Sequence, residues 1–154
     1  MLPKAATPEI VKLAAVSKAQ KTQVITKFFE SFNSPLKEHA ESFVDTADKY
    51  GLDYRLLPAI SCMESSCGKF LIPETHNPFG WGIYGSRVTY FDTYGDAIDT
   101  VGKGLSEHYV KKGLDTVEKI APVYTPPRYV HWRTGVNYFI SKINTIESKS
   151  ELTI

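Results

Sequence analysis

The segment LLPAISCMESSCG, residues 56–68, restricts the fold of this chain more than any other. Its apolar residues recur on helical spacing, and Ser65, Ser66 and Gly68 follow closely enough to stop the helix within a turn of Glu64. Ile60 and Leu57 lie four and seven residues before Glu64, so its carboxyl shares the face that packs inward. Most glutamates on helices are solvated surface residues. Here the helix ends at the glutamate, which places the carboxyl beside a loop and facing a cleft. Desolvation there disfavours the charged form and raises the pKa, giving an acid that still carries its proton near neutral pH.

The rest of the chain reads as mainly α. Thr7 and Pro8 start a short helix, and Ile25, Phe28, Phe29 and Phe32 form a stripe that suits a docking helix better than a membrane-surface one, since its polar face is not strongly basic. Ser34 and Pro35 open the next helix, whose buried face is Leu36, Ala40, Phe43, Ala47 and Tyr50 before Gly51 ends it. Asp53 is expected to cap the glutamate helix. Thr93 and Asp96 begin a long helix with Ile98, Val101, Leu105 and Tyr109 inward, in which Gly102 and Gly104 permit close approach of another element. Residues 116–124 form a shorter helix. Pro126 and Pro127 interrupt the chain before a last helix with Trp132, Val136, Phe139, Ile140 and Ile143 on one face. IYGSRVTYF alternates around a Gly-Ser turn, as a small hairpin does.

At 154 residues, with 42% hydrophobic and 23% charged residues, the chain suits one packed domain. Its net charge of +1 offers no field for a polyanion, and no basic stripe or motif of a nucleic-acid binder is present, so nucleic acid is not an expected partner. No run is long enough to cross a membrane, and no apolar core of an export signal is visible. His39, His76, His108 and His131 lack paired ligand spacing, which argues against a metal site. Cys62 and Cys67 can be bridged only if the helix ends between them, because five helical residues rise about 7.5 Å. Otherwise they are two buried thiols.

Thirteen residues beyond Glu64 begins the loop NPFGWGIYG, in which Phe79, Trp81 and Tyr84 alternate with Gly80, Gly82 and Gly85. Packing alone does not ask for a ring as large as Trp81 in such a loop, and aromatic surfaces of this kind stack on sugars. Four stretches, AESFVDTADKYGLDYRLLPAI, MESSCGKF, NPFGWGIYG with YFDTYGDAIDTV, and VYTPPRYVHWRTGVNYFISKI, span about residues 34–146. In their order and spacing they resemble the lysozyme-like glycosidases of bacterial and phage cell-wall metabolism, which include soluble lytic transglycosylases and endo-β-N-acetylglucosaminidase domains. Glu64 and Ser65 match the family's Glu-Ser pair, and Asn77, Gly80, Gly82 and Ile83 match its Asn-x-x-Gly-x-Gly-Ile loop.

The resemblance implies a lysozyme-like fold with a small β-hairpin flanking the active-site cleft. Residues 34–148 would be the catalytic domain, residues 1–33 an N-terminal helical extension or linker, and residues 149–154 a tail. It implies a monomeric glycosidase without cofactor, acting outside the cytoplasm on β-1,4 links between N-acetylated amino sugars of peptidoglycan, with Glu64 as general acid. Ser65 and Asn77 would bind the substrate's acetamido group, Gly82 and Ile83 would present backbone groups to the sugar, and Tyr124 would orient Glu64. Core packing is the alternative for Tyr124 and the expectation for Trp132. A second carboxylate, if the reaction uses one, would be Glu74 or Asp92, whereas Asp96 is better explained as a helix cap. Relatives can instead use the substrate's own acetamido carbonyl. The Gly-Leu-Met-Gln loop of the transglycosylase branch is absent, which favours hydrolysis over 1,6-anhydro ends. The rival from another class is a glycan-binding module that has lost the chemistry.

Overall fold

The computed structural model describes residues 16–152. The mainly α expectation holds: among these residues there are six α-helices and no strand. They are α1 (Lys18–Ser31), α2 (Ala40–Tyr50), α3 (Leu56–Ser65), α4 (Tyr94–His108), α5 (Val117–Tyr124) and α6 (Tyr129–Leu152). Short 3-10 turns at Pro35–His39, Val110–Lys112 and Pro126–Arg128 join some of them. The expected helix at Thr7 and Pro8 lies outside the described residues. Within the segment expected as a tail, α6 continues to Leu152.

Local chemistry accounts for the helix ends. Ser17 and Gln20 form a reciprocal capping box at α1, while Thr93 and Thr116 accept the backbone N–H groups of Asp96 and Lys119 at the starts of α4 and α5. Ser34 accepts the Leu36 N–H, and Gly51 ends α2 at φ +69°, a conformation that costs glycine little. The expected cap of α3 is displaced. Arg55 occupies that position without a side-chain cap, and Asp53 instead accepts the Arg55 backbone N–H and pairs with its guanidinium at 2.9 Å.

One core unites these elements. The α1 stripe enters it, with Ile25, Phe28 and Phe29 fully buried and Phe32 packed at its edge, and the rings of Phe29 and Phe43 lie 5.1 Å apart. Burying each such ring stabilises the fold by roughly 1.5–3 kcal/mol. Helix α3 runs through the centre, flanked by α2 and α6. Two glycines set the crossings. A Cβ on Gly102 would collide with Thr46 of α2, and one on Gly135 of α6 would collide with the sulfur of Met63 on α3.

Between α3 and α4 the chain forms a long loop tied at its base, where the Phe91 N–H donates to Thr75 O at 2.8 Å and His76 Nδ1 meets Phe91 O at 2.9 Å. At its tip, Tyr84 and Arg87 exchange two backbone hydrogen bonds of 2.9 Å around Gly85 and Ser86, making one antiparallel bridge. Gly85, at φ +59°, supplies the left-handed residue this two-residue turn requires. Among the described residues no helix is long and apolar enough to cross a membrane.

Candidate active site

Glu64 is the penultimate residue of α3, and its position depends on how that helix stops. Ser66, Cys67 and Gly68 follow with φ of +52°, +60° and +77°, a run of left-handed residues that turns the chain back on itself. Reversal brings Cys67 to Cys62, and the two form a disulfide. The Ser34 hydroxyl donates to Cys67 O at 2.6 Å and ties this turn to the start of the preceding 3-10 turn. A Cβ on Gly68 would lie 2.9 Å from Leu36 Cγ, so only glycine lets this turn press against the core.

The last turn of α3 and the aromatic loop form a cleft of about 300 Å³ together with Tyr109, Tyr124 and Thr125. Glu64, Phe79, Trp81, Gly82, Ile83 and Tyr84 are also in its lining. Among the described residues Glu64 is the one carboxyl group in this lining. Its side chain opens onto the cleft and so presents surface to solvent, yet the surrounding atoms displace enough water from the carboxyl to raise its pKa above the usual glutamate value. The Trp132 indole N–H and the Arg128 charge pull in the opposite direction, and burial outweighs them. Trp132 Nε1 is within range of the carboxyl but has no hydrogen-bond partner of ordinary geometry, so its effect is that of a nearby dipole and not of a formed bond. Tyr124 stacks on Trp132 with ring centroids 4.8 Å apart and lies 5.9 Å from Tyr109. Burial first, and the charge of Glu64 second, push the Tyr124 phenol well above the usual tyrosine range, so it remains a neutral hydroxyl. A carboxyl with a raised pKa, sharing an aromatic cleft with a neutral hydroxyl, is suited to protonating an ether oxygen.

The cleft unites Glu64, Trp81, Gly82, Ile83 and Tyr124, which lie far apart in the chain. Trp81 does two jobs, since its ring also fills the space left by Gly104 on α4. Thr89 donates its hydroxyl to Gly82 O at 2.9 Å, which fixes that peptide at the cleft wall. Four expected site residues lie elsewhere. Ser65 is buried away from the cleft, its hydroxyl bonded to Ser61 O at 2.9 Å and Pro78 O at 2.7 Å while accepting the Gly68 N–H at 2.9 Å. Asn77 is also buried: its amide nitrogen donates to Trp81 O and Thr89 O, and its oxygen accepts the Trp81 N–H. Both side chains hold the loop in place and leave no group directed at a sugar. Glu74 and Asp92 are exposed on the loop and line no part of the cleft.

Tyr109 and Thr125, which no sequence feature assigns to a site, also line the cleft. Tyr109 sits just past the end of α4 at φ −128°, so the helical stripe that pointed it inward stops one residue short of it. Thr125 and Arg128 flank the Pro-Pro break, a signal of a turn but not of what the turn faces. The described residues contain no cluster of His, Cys, Asp and Glu able to hold a metal. Comparison with known protein families and with curated proteins returns no match for this chain.

Proposed function

We propose that this protein is a lysozyme-like glycosidase that cleaves β-1,4 links between N-acetylated amino sugars, with peptidoglycan as its substrate. The observation that carries this reading is the position of Glu64: a carboxyl whose surroundings raise its pKa, at the end of a helix and, among the described residues, the one carboxyl in a cleft lined by Trp81, Tyr84, Tyr109 and Tyr124. Such rings suit the apolar faces of sugars. Where the hairpin was expected, Tyr84–Arg87 forms an isolated bridge without strands, and Tyr84 of that turn lines the cleft. The substrate polymer places the action outside the cytoplasm.

In this mechanism the Glu64 O–H bond breaks as the proton passes to the glycosidic oxygen, and the C–O bond of the departing sugar breaks with it. Among the described residues no second carboxyl lines the cleft. The oxocarbenium-like centre is therefore stabilised by the carbonyl of the substrate's own acetamido group, and water completes the hydrolysis. Tyr124 steadies the Glu64 side chain as it changes charge.

The test is clearance of cell-wall suspensions by the wild type and by Glu64→Gln, with glycan binding measured on the same samples. Lysis by the wild type and none by Glu64→Gln, both binding equally, is the expected result. Equal lysis by both would remove Glu64 from the chemistry, and binding without lysis by either would make the protein a glycan-binding module. Mass spectrometry of the products distinguishes hydrolysis from transglycosylation, whose 1,6-anhydro ends lack one water.

A further inference from the structure

Trp132 looks like core in the sequence, because it lies on the apolar stripe of α6 and is only 3% exposed. Its indole N–H does not fit that role. Among the described residues it is one of two buried side-chain polar atoms without a hydrogen-bond partner, the other being the Thr22 hydroxyl. A buried donor left unpaired is destabilising, so one kept beside a reacting group invites a functional explanation.

The helix crossing brings that donor toward Glu64. Gly135 of α6 packs directly onto Met63, the neighbour of Glu64 in α3, and Trp132 lies three residues, about one turn, before Gly135 on the same face. The ring cannot swing away, because Tyr124 stacks on it at an interplanar angle of 30°. We propose that Trp132 is a positioning residue for the acid: its indole N–H receives the carboxylate that Glu64 becomes once its proton has left, and holds it against the cleft wall.

This inference rests on Glu64 acting as the general acid. The neutral acid asks little of a donor, while the carboxylate, keeping the electron pair of the broken O–H bond, is strongly stabilised by one. Other groups around Glu64 complete its surroundings: Arg128 from the turn before α6, Tyr124 from α5, Tyr109 from the end of α4 and Tyr84 from the loop. Arg128 is the cation among them. Trp132 belongs to the helix whose Gly135 packs on Met63, the chain neighbour of Glu64.

The variant that tests this is Trp132→Phe, which keeps a ring for Tyr124 and removes only the N–H. Carboxyl-carbon NMR of Glu64 in the free protein is expected to show titration at higher pH in Trp132→Phe than in the wild type, and kcat on cell-wall glycan to fall roughly tenfold with KM little changed. A Glu64 titration that is the same in both proteins would overturn the proposal, even if Trp132→Phe were less stable. If the variant does not fold, the wild type alone decides. Its Trp132 indole N–H resonance is expected to move with the ionisation of Glu64 and to stay fixed over the same pH range in Glu64→Gln; a resonance that ignores Glu64 in the wild type would refute the contact. Both NMR readouts need no substrate, so a failed glycosidase assignment, seen as absent lysis by the wild type, remains separate from a failed Trp132 assignment.

Discussion

Gly104 on α4 and Trp81 in the aromatic loop meet so closely that a Cβ on residue 104 would lie 2.6 Å from Trp81 Cζ2 and 2.8 Å from Cη2. One edge of the indole thus packs on a helix while the remainder lines the cleft. The position of a cleft wall is set by a missing methyl group on the opposite element. Gly104→Ala is expected to displace the ring: overpacking costs about 1–3 kcal/mol, offset by about 1 kcal/mol of helix propensity. Glycan affinity falls more than stability does. Unchanged tryptophan fluorescence together with unchanged glycan binding would count against this contact as a determinant of the cleft.

The raised pKa of Glu64 has a consequence for stability. Because the folded protein holds this proton more tightly than the unfolded chain does, its stability declines as pH rises from the ordinary value of 4.5 through the higher folded value. Glu64→Gln lacks that loss. The variant is therefore expected to be the more stable protein above this window and equal to the wild type below it, as urea unfolding at a series of pH values would show. A wild type stabilised by its ionised glutamate at neutral pH would contradict the burial argument. The alkaline limb of activity is expected above the pH at which an unburied carboxyl titrates.

Asn77 makes a prediction opposite to that of a sugar ligand. Its bonds to Trp81 O at 2.8 Å, Thr89 O at 3.2 Å and Trp81 N at 3.1 Å hold the two sides of the loop together. Asn77→Ala is expected to cost about 2–3 kcal/mol on unfolding. Asn77→Asp, which turns an anion toward two carbonyl oxygens, is expected to cost more. Wild-type stability combined with weakened sugar binding would return Asn77 to the list of substrate contacts.

The Cys62–Cys67 disulfide closes a short loop at the end of α3, for which the chain-entropy effect is about 2 kcal/mol. Reduction is expected to lower stability by that order and to reduce activity before global unfolding, since the turn it secures adjoins Glu64. Thiol counting on denatured, unreduced protein checks the bond itself; two free thiols in oxidised material would remove it.

The parts of this molecule legible in its sequence are those governed by neighbours in the chain. The stripes of α1, α2, α4 and α6, the helix starts at Ser34 and Thr93, the stop at Gly51 and the placing of Glu64 at a helix end all follow from spacing within a few residues. Asp53 was misplaced even so, because its partner, the Arg55 side chain, competed for the carboxylate that would have capped α3. The aromatic loop was visible as a unit, and the cleft does form around it.

What the tertiary structure alone decided is the direction of each polar group. Ser65 and Asn77 carry the right chemistry for a sugar, but Pro78 O, Trp81 O and Thr89 O reach them first once the loop folds back, and a buried donor takes whichever acceptor lies within about 3 Å. Trp132 presents an apolar face in the sequence and an unpaired N–H beside Glu64 in the fold. Tyr109, Thr125 and Arg128 reach the site because α4, α5 and α6 pack where they do. Hydrophobic periodicity records which side of a helix is buried, and it carries no record of which neighbour will be found there.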